Sequence, residues 1–115
     1  MLVDDDDDLR GVVKGLIASA SDMELVGDVG LGVEGIEETI YSEPDVVVLD
    51  YMMPGMSGDI VAAAVKDGSP KTKILVFSAV LESPPVWADA FLTKLQIGDL
   101  VDEIRALAAG NVSAS

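Results

Sequence analysis

The chain contains no cysteine and no histidine among its 115 residues. Disulfides, zinc centres, thiol nucleophiles and Ser-His hydrolysis are thereby excluded together, and the redox compartment is left open. Aromatics are scarce, with two Phe, two Tyr and one Trp, so a core has to come from Val, Leu, Ile and Ala. Cations are scarce too: seven Lys and Arg face 21 Asp and Glu, a formal net charge of −14. That balance lacks the basic footprint of direct nucleic-acid binding, so any effect on DNA would have to pass through a partner. No apolar run approaches membrane-spanning length, and the N-terminus turns acidic at Asp4, unlike a secretory signal. A cytoplasmic protein without membrane contact is expected. The length suits one domain over residues 1–110, with Asn111 to Ser115 a frayed C-terminal tail.

What is present alternates between extended and helical patterns. Met1 to Val3 is a very short apolar strand ending in the run Asp4 to Asp8. Leu9, Val12, Val13, Leu16, Ile17 and Ala20 recur at one-face helical spacing despite Gly11 and Gly15, each of which costs about 1 kcal/mol relative to Ala. Met23 to Val29 reads as a second strand, and Val33 to Tyr41 as a helix with Ile36 and Ile40 inward, stopped by Pro44. Ile60, Val61, Ala64 and Val65 mark a third helix. Lys73 to Ser78 and Ala90 to Lys94 read as further strands, and Leu100, Val101, Ile104, Leu107 and Ala108 as a last helix ended by Gly110. Strands alternating with helices imply an α/β fold with a parallel sheet and right-handed crossovers.

The central stretch is Asp45-Val-Val-Val-Leu-Asp50-Tyr-Met-Met-Pro-Gly55-Met-Ser-Gly58. Its apolar run reads as a strand covered on both faces, closed by Pro54-Gly55 and Gly58, which leaves Asp50 at the strand's carboxyl end. In open α/β sheets ligands bind at that edge, so Asp50 is a candidate nucleophile or metal ligand; as an isolated feature it would equally serve as a turn cap. Asp4 and Asp5, Ser78 and Lys94 end other strands and would converge there. Carboxylates brought that close raise one another's pKa unless a hard cation neutralises them, and oxygen-only ligation suits Mg²⁺. A hydroxyl and an ammonium beside the ion are what phosphoryl transfer to a carboxylate requires. The remaining acids Asp6, Asp7 and Asp8 read as solvated charges favouring a helix N-terminus. A calcium loop counted from Asp4 fails, because Leu9 falls where Gly is needed and Gly15 where the bidentate Glu belongs.

In these motifs the chain resembles the receiver domain of bacterial two-component response regulators. Val3-Asp4-Asp5 through Leu9, Val13, Leu16 and Ile17 matches the acidic pair and first helix, and Leu49-Asp50 through Met53-Pro54-Gly55-Met56-Ser57-Gly58 the phosphoacceptor loop. Val76-Phe77-Ser78-Ala79 matches the segment of the switch hydroxyl, and Ala88 to Lys94 that of the switch aromatic, Phe91, and the lysine. The resemblance implies a flavodoxin-like (CheY-like) doubly wound sheet of five parallel strands in the order 2-1-3-4-5. It implies phosphorylation of Asp50 by a histidine kinase or histidine phosphotransfer protein, and slow autodephosphorylation, in a signalling domain that is not otherwise an enzyme. Asp5, Asp50 and the Met52 carbonyl would bind Mg²⁺ and Asp4 would reach it through water, while Ser78 and Lys94 would hold the phosphoryl group.

Two features depart from the family. After Ser78-Ala79, Val80 to Asp89 give only ten positions before the last strand, where a parallel crossover takes about a dozen or more, and Pro84-Pro85 sits among them. The family's fourth helix is therefore expected to be absent or vestigial, with an irregular loop of at most one helical turn and Trp87 against the sheet or in a homodimer contact. The first strand, which the resemblance makes central, is short and should weaken the domain. The expected function is a stand-alone receiver in a phosphorelay that signals by contact with a downstream target protein. The alternative is a pseudo-receiver that binds proteins without phosphorylation. A Mg²⁺-dependent phosphohydrolase stands further off, because Met52 replaces the second acid such enzymes commonly carry.

Overall fold

Four consecutive apolar residues, Val46–Leu49, form strand β3 at the centre of a five-stranded parallel sheet in the computed structural model, which describes residues 1–110. All four are buried, as a strand covered on both faces must be. Strand β1 (Leu2–Val3) lies beside it, β2 (Asp28–Val29) forms one edge, and β6 (Lys73–Ser78) and β7 (Ala90–Thr93) complete the other side, giving the order β2-β1-β3-β6-β7. With the small antiparallel hairpin β4 (Met52–Met53) and β5 (Met56–Ser57) set aside, this is the expected 2-1-3-4-5 order. The hairpin turns at Pro54-Gly55, where Gly55 adopts φ +81°, a conformation that an L side chain disfavours.

Helix α1 (Asp7–Ala18) starts where Asp6 caps the Leu9 amide at 3.1 Å, with Asp7 and Asp8 in its first turn. It packs with α4 (Leu100–Ala108) on one face of the sheet, over Leu2, Val46, Val48, Leu75, Phe77, Ala90 and Leu92. Gly110 follows α4 at φ +87°, closing it as expected. The opposite face, with Val3, Val47, Leu49 and Ile74, is covered by α3 (Gly58–Gly68) and by α2 (Gly32–Ser42). A 3₁₀ segment, Lys94–Asp99, joins β7 to α4. The expected frayed tail lies outside the described residues.

Three expectations are corrected. The second strand does not run from Met23: its only partner is β1, so its ladder is confined to Asp28–Val29. Helix α2 turns Thr39 inward and leaves Ile40 partly exposed, because Gly35 faces the sheet, where a Cβ would lie 2.8 Å from both Val3 methyls. Ile60 and Val12 point outward while Val61, Ala62 and Val65 of α3 and Val13 and Ile17 of α1 are buried. Trp87, expected against the sheet, is half-buried and packs at the margin of the Val47, Leu49 and Ile74 cluster, where it also stacks on Tyr51. The short crossover is as anticipated: Val80 to Asp89 contains a single turn, in which the Ala88 amide donates to the Pro85 carbonyl at 3.1 Å.

Candidate functional site

Strand β1 is short but bonded on both sides at its end. The Asp4 amide donates to the Val29 carbonyl at 3.0 Å and the Asp50 amide to the Val3 carbonyl at 2.9 Å, so the ladders themselves set both acids at the carboxyl edge of the sheet. There Asp4 is 1% exposed and Asp50 5%, whereas Asp5 is open to solvent. One carboxylate oxygen from each of Asp4, Asp5 and Asp50 lies within 4.8 Å of the others.

Lys94, the first residue beyond β7, reaches across this edge, its ammonium 2.9 Å from Asp4 Oδ2 and 3.4 Å from Asp50 Oδ2. Asp4 Oδ1 accepts the Asp6 amide at 2.9 Å, which ties the acidic loop to the start of α1. Burial, and then the charge of Asp4, push the Asp50 carboxyl up to about 6, against the smaller opposing pull of Lys94 and the Met52 amide. Burial opposes the charge of Lys94, but the two carboxylates outweigh it and hold its ammonium above the usual lysine range.

These residues fit a hard divalent cation. The donors are carboxylate oxygens at one edge, two of the three acids are buried, and Asp4 Oδ2 receives no aligned hydrogen bond despite the nearby ammonium. One cation among three acids leaves a deficit of positive charge that a bound ion would remove.

Ser78, the last residue of β6, is buried at the same edge, and its Oγ accepts the amides of Val80 (3.1 Å) and Leu81 (3.0 Å). With both bonds accepted, the hydroxyl hydrogen stays free to be donated. Phe91 lies in β7 opposite Val76 and is half-buried, on the sheet face opposite to that of Ala90 and Leu92. The Met52 side chain is exposed; it is the backbone of Met52 that meets Asp50.

Sequence reasoning missed two contributors. Arg10 donates from Nη1 to the main-chain carbonyl of Asp4 at 2.6 Å and pairs with Asp7 and Asp28, fixing the acidic loop from its solvent side. A cation one turn into a helix opened by acids was the available signal. Asp59, on α3, accepts from both Tyr51 and Trp87. Nothing in the spacing of those three residues announces that contact.

The family model described as response regulator receiver domain matches residues 1–104. Among curated proteins the chain is 34% identical to the nitrate/nitrite response regulator protein NarL of Escherichia coli, covering all of this chain and 56% of that protein. The chain thus spans about half the length of the curated relatives it matches. Among solved structures it is similar to the response regulator domain of Thermotoga maritima CheB, with a TM-score of 0.85 at 27% identity over 94% of this chain and 93% of that one. It is similar also to the signal receiver domain of the putative response regulator NarL from Mycobacterium tuberculosis, with a TM-score of 0.84 at 30% identity over 96% and 94%.

Proposed function

Since the chain belongs to the response regulator receiver family, we propose that Asp50 accepts a phosphoryl group from the phosphohistidine of a histidine kinase or phosphotransfer protein. The observation that carries this reading is the convergence of Asp4, Asp5, Asp50 and Lys94 at one sheet edge, with Asp50 buried and its carboxyl raised to about 6. A carboxylate oxygen of Asp50 attacks phosphorus, the O–P bond forms as the P–N bond breaks, and the bonding pair returns to the donor's imidazole ring. Lys94 is placed to offset charge on the transferring oxygens. Ser78 holds a free hydroxyl hydrogen that it can donate to one of them, and Asp4 keeps the lysine oriented meanwhile. Asp5, Asp50 and the Met52 carbonyl, with Asp4 behind them, would hold Mg²⁺, which supplies neutralising charge at the same oxygens.

Phosphorylation changes the charge at the start of the Ser78 crossover, and output then passes by protein contact through the surface around it. Phe91, half-buried beside that crossover, is the side chain placed to change packing with Ser78. Mass spectrometry after incubation with Mg²⁺ and acetyl phosphate tests the site: one phosphate should be added to the parent and none to Asp50→Asn. Stoichiometric phosphorylation of the Asp50→Asn variant would overturn the assignment.

A further inference from the structure

Tyr51 lies between Asp50 and Met52, the two residues whose carboxylate and carbonyl the proposed reaction uses. Two stabilising contacts reach its side chain. The Trp87 ring stacks on it with centroids 6.5 Å apart and planes 14° from parallel. Asp59, in the first turn of α3, then takes one bond on each oxygen: Tyr51 Oη donates to Oδ2 at 2.8 Å and Trp87 Nε1 to Oδ1 at 2.7 Å. The three side chains close a ring that joins the phosphoacceptor loop, α3 and the short crossover.

The backbone beneath is tight. The Gly58 amide donates to the Tyr51 carbonyl at 2.8 Å, and a Cβ on Gly58 would lie 3.0 Å from Tyr51 Cα. The loop from Tyr51 to Gly58 is thus pinned at both ends to the start of α3, by the Tyr51 side chain through Asp59 and by the Tyr51 carbonyl through the Gly58 amide. The crossover is pinned likewise, at its beginning by Ser78 Oγ and near its end by Trp87.

We infer that Tyr51, Asp59 and Trp87 are positioning residues that hold the Asp50–Met52 backbone in the geometry used for cation binding and phosphoryl acceptance, a task for which this chain uses its shortened crossover. The inference rests on the receiver reading above for its chemistry but on the clamp alone for its geometry. None of the three touches the transferring group. Contacts of this supporting kind commonly change metal affinity or activity by 10- to 100-fold when removed.

The test compares the parent with Trp87→Phe, Asp59→Ala and the double variant. Amide hydrogen exchange over residues 52–58 and Mg²⁺ affinity by calorimetry are the readouts. Trp87→Phe keeps a ring to stack and leaves the charge unchanged, so a loss there is not electrostatic. Each single variant should speed loop exchange and weaken Mg²⁺ binding, by about tenfold for Asp59→Ala, and the double variant should be no worse than Asp59→Ala alone. Variants that melt earlier but keep the parent's loop exchange and Mg²⁺ affinity, or losses that simply add, would overturn the clamp. A parent that binds no Mg²⁺ would overturn the receiver reading, while the exchange comparison still decides the clamp.

Discussion

The two crossovers that follow β3 and β6 do the same topological job by different means. From β3 to β6 the chain uses α3, whose Val61, Ala62 and Val65 enter the core. From β6 to β7 it uses eleven residues, Ala79 to Asp89, without a helix, held by Ser78 Oγ, by a turn at Pro85 to Ala88 and by the contacts of Trp87. At its close the Asp89 carboxylate accepts the Ile74 amide at 2.8 Å, standing in for a ladder partner. The first crossover is stabilised by apolar area repeated at helical period, the second by a few polar and aromatic contacts, each made at a single position. Regular covering tolerates drift in sequence, whereas the second kind has no redundancy, and it lies beside the loop that follows Asp50.

The sharpest contrast is between buried and exposed valines. Val61, fully buried in α3, should lose about 2–3 kcal/mol on substitution by Ala. Val86, fully exposed in the short crossover, should change stability by less than about 0.5 kcal/mol on the same substitution. Urea unfolding of the two variants measures this directly; equal losses would mean that the crossover buries more than it shows.

Next in size is a pair of glycine substitutions in the helices. At Gly15 nothing lies within 4 Å of an added Cβ, so Gly15→Ala should stabilise by about 1 kcal/mol through helix propensity. At Gly35 the Cβ would meet two methyls of the buried Val3 at 2.8 Å, so overpacking should outweigh that gain and leave a net loss of about 1 kcal/mol. Thermal melts at one pH decide the sign. Because Val3 precedes Asp4, Gly35→Ala should also weaken Mg²⁺ binding, which Gly15→Ala should not.

These comparisons also mark what the sequence could tell. Strands β3 and β6, the helices that match their apolar period, and the acids and lysine at strand ends were legible because each follows from a local pattern and from the rule that parallel strands align their carboxyl ends. The hairpin at Met52–Ser57 was visible only as Pro54-Gly55, a turn without a register. The second strand was overread because the run from Met23 is strand-like, but β1 bonds it only from Gly27 onward, where the Leu2 amide donates to the Gly27 carbonyl at 3.0 Å. Ile40 was misplaced because apolar spacing does not reveal a glycine packed against the sheet. The partners of Arg10, Asp59 and Trp87 come from elements distant in sequence, and no spacing rule reaches them.

The smallest effect concerns overall charge. Five of the seven cations, Arg10, Lys14, Lys66, Lys94 and Arg105, are already in ion pairs, and the net charge is −14. Raising NaCl from 0.05 to 1 M should therefore raise the melting temperature by roughly a few degrees through screening of self-repulsion. Mg²⁺ at matched ionic strength should add a further rise by binding the folded state. A melting temperature that falls with salt would show that the ion pairs outweigh the unpaired acids.

The most direct test of the acidic pocket is the unfolding free energy of the parent and of Asp50→Asn between pH 4 and 8, with and without Mg²⁺. The Asp50 carboxyl is raised from 3.8 to about 6 on folding, so the folded state binds the extra proton. Its favourable contribution is complete below about pH 4 and is lost as the pH rises through 6. Without Mg²⁺ the two proteins should be nearly equal at pH 4, and above pH 6 the variant should be the more stable by about 2 kcal/mol. At neutral pH millimolar Mg²⁺ should close that gap by stabilising the parent alone. A difference independent of pH, or equal stabilisation of both proteins by Mg²⁺, would contradict a buried carboxylate built to meet a cation.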